Sequence, residues 1–227
     1  MSAPRRRLEV GAKDIGNATA SQPPMARPTT KGPNMPPRVL LIGDSIRMGY
    51  APGVRERLVG RAEIAEIPEN GGDSANLLAK LPAWFAAVAD DPPVVAHVNC
   101  GLHDIKRAYG SDARQVGLAE YGANVRSVLA LLADRMAGKV VWASTTPVLY
   151  ERHHARKGFD RFDADVLDYN EAAASVAAEL GVAVHDLYRV VAHDNVIECV
   201  GEDGVHMTER GNALLADHVS KQLHDYV

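Results

Sequence analysis

Beyond about residue 37 the chain alternates between short apolar runs and longer stretches whose apolar positions recur at helical spacing. Arg38–Ile42 (RVLLI) is a compact apolar run closed by Gly43, the pattern of a strand buried on both faces. Glu63–Ile67 (EIAEI) alternates, and Val94–Val98 (VVAHV), Val140–Ala143 (VVWA) and Val182–Val184 (VAV) complete five predicted strands. Helical patterns lie between them. Ile46–Leu58 follows the first strand, with helix-forming content after Pro52. Ser74–Ala89 carries Leu77, Leu78, Leu81, Trp84 and Phe85 at helical spacing, with Pro82 as a point where it would break in two. Leu118–Met136 places Tyr121, Val125, Val128, Leu129 and Leu132 on one face. Asp165–Leu180 is alanine-rich and stops at Gly181. The last helix starts from Thr208 as N-cap and carries Leu214, Leu215, His218, Val219 and Leu223.

This strand–helix alternation predicts an α/β fold: a three-layer α/β/α sandwich around a central five-stranded parallel sheet, with the flavodoxin-like order of elements. Ligands of such sheets gather beyond the carboxyl ends of the strands, so residues just after each strand are the first to read for chemistry.

Residues 1–36 have no sustained period, and Pro23, Pro24, Pro28, Pro33 and Pro36 interrupt any helix or strand there. The expected organisation is a disordered Pro/Arg-rich tail over 1–36 and one domain over 37–227. Composition changes this picture little. Apolar residues make up 46% of the 227 positions and charged residues 24%, ordinary values for a soluble globular chain. A net charge of -4 argues against a general nucleic-acid binder. Cys100 and Cys199 read as buried thiols. No apolar stretch is long enough for a membrane span, and no apolar region follows the basic Met1–Arg7, so a cytoplasmic location is expected.

Two segments carry the chemistry. Gly43–Asp44–Ser45–Ile46 puts a serine at the carboxyl end of the first strand and the start of a helix, where backbone N–H groups point at whatever binds. Asp203–Gly204–Val205–His206, before the last helix, spaces an aspartate three residues ahead of a histidine. In a tight turn that carboxylate accepts from Nδ1 and leaves Nε2 to take a proton from a serine hydroxyl, the assistance a serine nucleophile needs.

These segments, with two more after the second and third strands, resemble the four signature blocks of the SGNH (GDSL-like) hydrolase superfamily. Asn70–Gly71–Gly72–Asp73–Ser74 resembles the glycine block, and Gly101–Leu102–His103–Asp104 sits where the family usually has Gly-x-Asn-Asp. The resemblance spans Arg38 to the C-terminus. It implies a serine esterase with Ser45 as nucleophile, His206 as base and Asp203 as its orienting partner. It also implies an oxyanion hole from the Ser45 and Gly72 amides and a side-chain donor at position 103, where His103 stands for the family's asparagine. Asp44 and Asp104 are expected to organise these loops, Asp104 by accepting backbone amides. The implied substrate is a small-molecule or carbohydrate ester with a short acyl group such as acetyl. An acyltransferase using the same triad, or a catalytically silent binding module, are the alternatives. No cofactor is expected.

Glu151–Arg152–His153–His154 reads either as a solvated loop or as a substrate-contacting lid. Neighbouring histidines of an extended chain point apart, so no shared metal is expected there. The polar, aromatic-bearing stretch Leu149–Phe162 lies on the side of substrate contact. His97 and His185 read as structural histidines, and Trp84, Phe85 and Trp142 as core.

Overall fold

The computed structural model describes residues 35–87, 92–136 and 139–227. The tail expected over 1–36 lies outside the described residues up to position 34, as do Ala89 and its neighbours at the end of the second predicted helix.

Five strands, β1 (Arg38–Ile42), β2 (Glu63–Glu66), β3 (Val95–Val98), β4 (Val140–Ala143) and β5 (Ala183–His185), form one sheet in the order β2-β1-β3-β4-β5. Every neighbouring pair is parallel, with Val39 beside both Ile64 and Val95 and Val98 beside Trp142. All of β3 and β4 is buried, which explains why these strands read as apolar runs, interrupted only by His97, rather than as alternating ones. The chain leaves β1 in one direction to reach β2 and returns across β1 to β3. This switch point opens a crevice beyond the carboxyl ends of β1 and β3.

Helices cover the sheet. α1 (Ser45–Arg57) packs on the C-terminal helix α8 (Glu209–His224), and α2 (Ser74–Ala87), α3 (Leu118–Arg135) and α5 (Asp163–Glu179) pack in sequence. Among the described residues three shorter helices complete the set: α4 (Tyr150–His154), α6 (Leu187–Ala192) and α7 (Val196–Cys199). Capping explains two of the starts. Asp44 accepts the Ile46 amide at 2.9 Å ahead of α1, and Thr208 accepts the Gly211 amide at 3.2 Å ahead of α8.

Local sequence rules were overruled in three places. α1 starts at Ser45 and runs through Pro52, rather than starting after it, and α2 runs unbroken through Pro82. Each proline gives up one intrahelical bond, but the flanking residues Tyr50, Ala51 and Val54 in α1, and Leu81, Trp84 and Phe85 in α2, are buried, and that packing holds the helix together. Glu151–His154 forms helix α4 rather than a loop. Among the described residues no helix is long and apolar enough to cross a membrane. Both cysteines are free and buried.

Three histidine and tyrosine side chains meet inside the sheet layer. Tyr50 Oη lies 3.4 Å from His97 Nδ1, and His97 Nε2 lies 3.2 Å from His185 Nδ1. In the tautomer that satisfies both contacts, Tyr50 donates to His97 and His97 donates to His185. Burial, and after it the proximity of His185, lowers the His97 imidazole to about 3. Burial, then His218, lowers His185 to about 4. Both rings are neutral structural members of the core.

Candidate active site

The end of β1 delivers the first block. Gly43 is pressed against Asn99 at the end of β3: a Cβ on Gly43 would lie 1.9 Å from Asn99 Oδ1. This close fit carries the chain into α1, with buried Asp44 as cap and Ser45 as first helical residue. The Ser45 amide thereby belongs to a helix N-terminus, where partial positive charge gathers.

The last block arrives from the far end of the chain. Asp203 Oδ1 accepts the amides of Val205 (3.1 Å) and His206 (2.9 Å), closing a turn on its own carboxylate. Its other oxygen meets His206 Nδ1 at 2.5 Å, and His206 Nε2 meets Ser45 Oγ at 2.9 Å. Partial burial acts to raise the Asp203 carboxyl. The hydrogen bonds from the His206 ring and from the two amides outweigh it and hold the group well below the ordinary carboxylate range. Asp203 is therefore a fixed anion at neutral pH, suited to orienting a ring and to stabilising it when it gains a proton.

Gly204 makes that turn possible. Its φ of +74° lies in the left-handed region, and a Cβ there would stand 2.4 Å from the Leu149 carbonyl and 2.6 Å from the His153 amide. The turn is thus seated directly on the start of α4. Leu149 N donates to the Gly204 carbonyl at 2.9 Å, His153 Nδ1 lies 3.3 Å from the Asp203 carbonyl, and Arg152 donates to the Val200 carbonyl at 2.7 Å. The Glu151–His154 segment has a structural task that its sequence did not announce: it props the Asp203–His206 turn. His153 is buried within it, while His154 turns away to Asp160.

The glycine block and the third block are tied together by Asp104. Its carboxylate accepts the Ser74 amide at 2.9 and 3.1 Å, joining the end of β3 to the start of α2. Burial pushes this carboxyl up to about 7, against the opposing effect of the Ser74 hydrogen bonds. His103, next to it, faces the crevice. Burial lowers its imidazole, with Lys106 and Arg161 adding to the effect and Asp44 and Asp73 opposing it, so the neutral ring offers an N–H donor.

Gly72 is the sequence-selected residue least free for its expected task. It has a φ of +69°, which accounts for the glycine, but its amide donates to Asn70 Oδ1 at 2.9 Å. An oxyanion would have to share that N–H with Asn70 or displace it.

A cavity of about 240 Å³ opens at Ser45 and His206 and is also lined by Asn70, His103, Phe159 and Arg161. Sequence reading pointed to the Leu149–Phe162 stretch in general but not to Arg161. That residue is 5% exposed, donates from Nε to the Leu102 carbonyl at 2.6 Å, and has its guanidinium carbon 4.9 Å from the centre of the Phe159 ring. Its signal in the sequence was only an arginine between two aromatic-flanked positions, indistinguishable from a surface charge.

A parallel doubly wound sheet with a serine, histidine and aspartate joined in this order at its switch point has the form of a hydrolase site. The comparisons with known proteins agree. Residues 41–214 match the model of the GDSL-like lipase/acylhydrolase family, and the chain belongs to that family. It is a carboxylic ester hydrolase of the SGNH/GDSL kind. A human protein named isoamyl acetate-hydrolyzing esterase 1 homolog is 25% identical over 197 residues, covering 81% of this chain and 79% of its own. Among solved structures, a lipase/acylhydrolase from Enterococcus faecalis superposes with a TM-score of 0.69 at 18% identity, over 83% of this chain and 96% of its own. An acetylxylan esterase from Geobacillus stearothermophilus does so with a TM-score of 0.63 at 17% identity, over 84% and 96%. These two likenesses bear on the fold.

Proposed function

We propose that residues 37–227 are the catalytic domain of a serine esterase that removes short acyl groups, such as acetyl on a carbohydrate, through an acyl-enzyme on Ser45. The observation that carries this reading is the unbroken relay Asp203–His206–Ser45, at 2.5 and 2.9 Å. Ser45 Oγ attacks the acyl carbon while His206 Nε2 takes its proton. The tetrahedral adduct then expels the alcohol, which receives that proton from His206. Water repeats the sequence on the acyl-enzyme and frees the acid. Asp203 holds the ring and balances its transient charge.

The oxyanion hole comprises the Ser45 amide, the His103 N–H and the Gly72 amide once Asn70 yields it. Asp44 and Asp104 hold the loops that present these donors. Removing one such donor typically lowers turnover by about a hundredfold or more. Support for a short acyl group comes from the small cavity, about 240 Å³, and from the acetyl esters in the names of the human relative and the acetylxylan esterase.

The test is hydrolysis of p-nitrophenyl acetate by the wild type and by Ser45→Ala, followed by esters of increasing acyl length. Activity lost in the variant and declining with chain length is the expected result. Equal activity in both proteins would remove Ser45 from the reaction, and turnover of long chains alone would overturn the acyl preference.

A further inference from the structure

The walls of the cavity beside Ser45 carry more positive charge than ester hydrolysis requires. Besides Arg161 it is lined by Lys106 and Lys157, and none of the described residues lining it is an aspartate or glutamate. Arg161 is the informative member. An arginine so deeply buried is costly unless its donors find acceptors. Here only Nε does, on Leu102, and among the described residues no acceptor engages either terminal nitrogen. Neither of those nitrogens is a fully buried orphan, and Arg161 lines the cavity.

The neighbours add to the cost. Lys106 and Arg161 repel, and both bear on His103. The carboxylates that bear on Arg161 are Asp44 and Asp203, those that bear on Lys106 are Asp73 and Asp104, and none of the four lines the cavity. Asp203 is already engaged by His206 at 2.5 Å and by Lys157 at 3.4 Å. Phe159 presents its ring to Lys106 at 5.4 Å and to Arg161 at 4.9 Å, so it holds the two cations facing the same space without neutralising either. An unpaired guanidinium fork with a lysine beside it is the donor set that a carboxylate or phosphate satisfies.

Resting on the serine-esterase reading above, we infer that the ester this site selects carries an anionic group on its acyl or its alcohol side, several atoms from the scissile bond, received by Arg161 with Lys106 and Lys157 around it. Neutral esters enter the same crevice but leave the Arg161 fork unpaired.

Two matched pairs of esters test this with the full chain at low ionic strength. 4-Acetoxybenzoate and its methyl ester differ by one carboxylate on the alcohol side; monophenyl adipate and phenyl hexanoate differ by one on the acyl side. In the first pair the free carboxylate makes the poorer leaving group, so chemistry alone favours the methyl ester. The expected result is that at least one anionic ester exceeds its neutral partner in kcat/KM by about tenfold, through KM, as a charge-assisted hydrogen bond warrants. That ratio should fall towards one in Arg161→Gln, stay higher in Arg161→Lys, and shrink with added salt. Should Arg161→Gln fail to fold, Lys106→Gln and Lys157→Gln read the same ratio from less buried positions. A neutral preference in both pairs, or a ratio unchanged by all these substitutions, would overturn the inference.

Ser45→Ala separates this outcome from failure of the underlying reading, because it should abolish turnover of all four esters. If the wild type hydrolyses none of them, the esterase reading falls. The anion inference is then decided by calorimetric binding of 4-acetoxybenzoate against its methyl ester: tighter binding of the anion upholds it, and equal binding overturns it.

Discussion

The buried pair His97 and His185 makes stability depend on pH in a way that a single substitution can isolate. A histidine titrates near 6.5 when unfolded, whereas burial brings His97 to about 3 in the fold. Its folded value is depressed, so its contribution is fully present above pH 6.5 and is lost as pH falls from there towards about 3. At pH 5 the unfolded ring is protonated and the folded ring is not, which favours unfolding by RT ln(1 + 10^1.5), about 2 kcal/mol. That is a sizeable fraction of the roughly 5–15 kcal/mol that holds a typical domain together.

Asp104 works in the opposite direction over the same range, because its folded carboxyl, at about 7, takes up its proton before the unfolded one does. Total stability therefore conceals the histidine contribution, and the difference between wild type and His97→Gln exposes it. Glutamine can still bridge Tyr50 and His185, and whatever its packing costs does not titrate. Urea unfolding at pH 8 and pH 5 should show the stability difference moving by about 2 kcal/mol in favour of the variant at the lower pH. A difference that stays constant to within about 0.5 kcal/mol would refute the claim that His97 is neutral and buried in the fold while protonated in the unfolded chain.

Three further predictions concern the scaffold of the site. Gly204→Ala should cost about 1–3 kcal/mol of stability and reduce kcat/KM for p-nitrophenyl acetate severalfold, because its Cβ would strike the Leu149 carbonyl and the His153 amide and push the Asp203–His206 turn off α4; wild-type values for both quantities would contradict this. Asp104→Ala leaves the buried Ser74 amide without its acceptor, an expected loss of about 1–3 kcal/mol in chemical denaturation with a fall in kcat, whereas Asp104→Asn, which keeps an acceptor oxygen, should recover most of both. Asp165→Ala removes the carboxylate that Arg107 and Arg114 reach at 2.5–2.9 Å from the loop ahead of α3, leaving Arg107 only Asp112 at 3.5 Å, and should destabilise by about 1–3 kcal/mol; a loss below about 0.5 kcal/mol would mean that these ion pairs behave as a surface network.

Local pattern was enough for the sheet, while the four blocks were marked by their family resemblance. RVLLI, VVAHV and VVWA are strands in any context that buries both faces, and strand–helix alternation leaves few ways to connect them. Ser45, Gly72 and His103 each follow a strand within a few residues, so finding the strands also put these residues at the same edge of the sheet. Thr208 marked the start of α8 by capping chemistry alone.

Whatever depended on neighbours distant in the chain was not legible. Pro52 and Pro82 look like breaks, and only the apolar surfaces packed around them keep α1 and α2 whole. The segment from Tyr150 to His154 is too short to show a period, and its helix is held by the Asp203–His206 turn some fifty residues away. Tyr50, His97 and His185 lie on α1, β3 and β5 and meet only when the sheet has assembled and α1 has packed on it. The order of the blocks suggested that Ser45 and His206 belong together, but the 2.9 Å contact between side chains 161 residues apart is a product of the assembled sheet and the packing of α1 on α8. Arg161 reads as an ordinary surface charge until Phe159 and the Leu102 carbonyl enclose it. Periodicity and capping act over one or two turns of chain, so the sequence by itself determined the elements and their order. Burial, tautomer, charge environment and the approach of remote side chains depend on the whole packed chain, so the tertiary structure alone decided them.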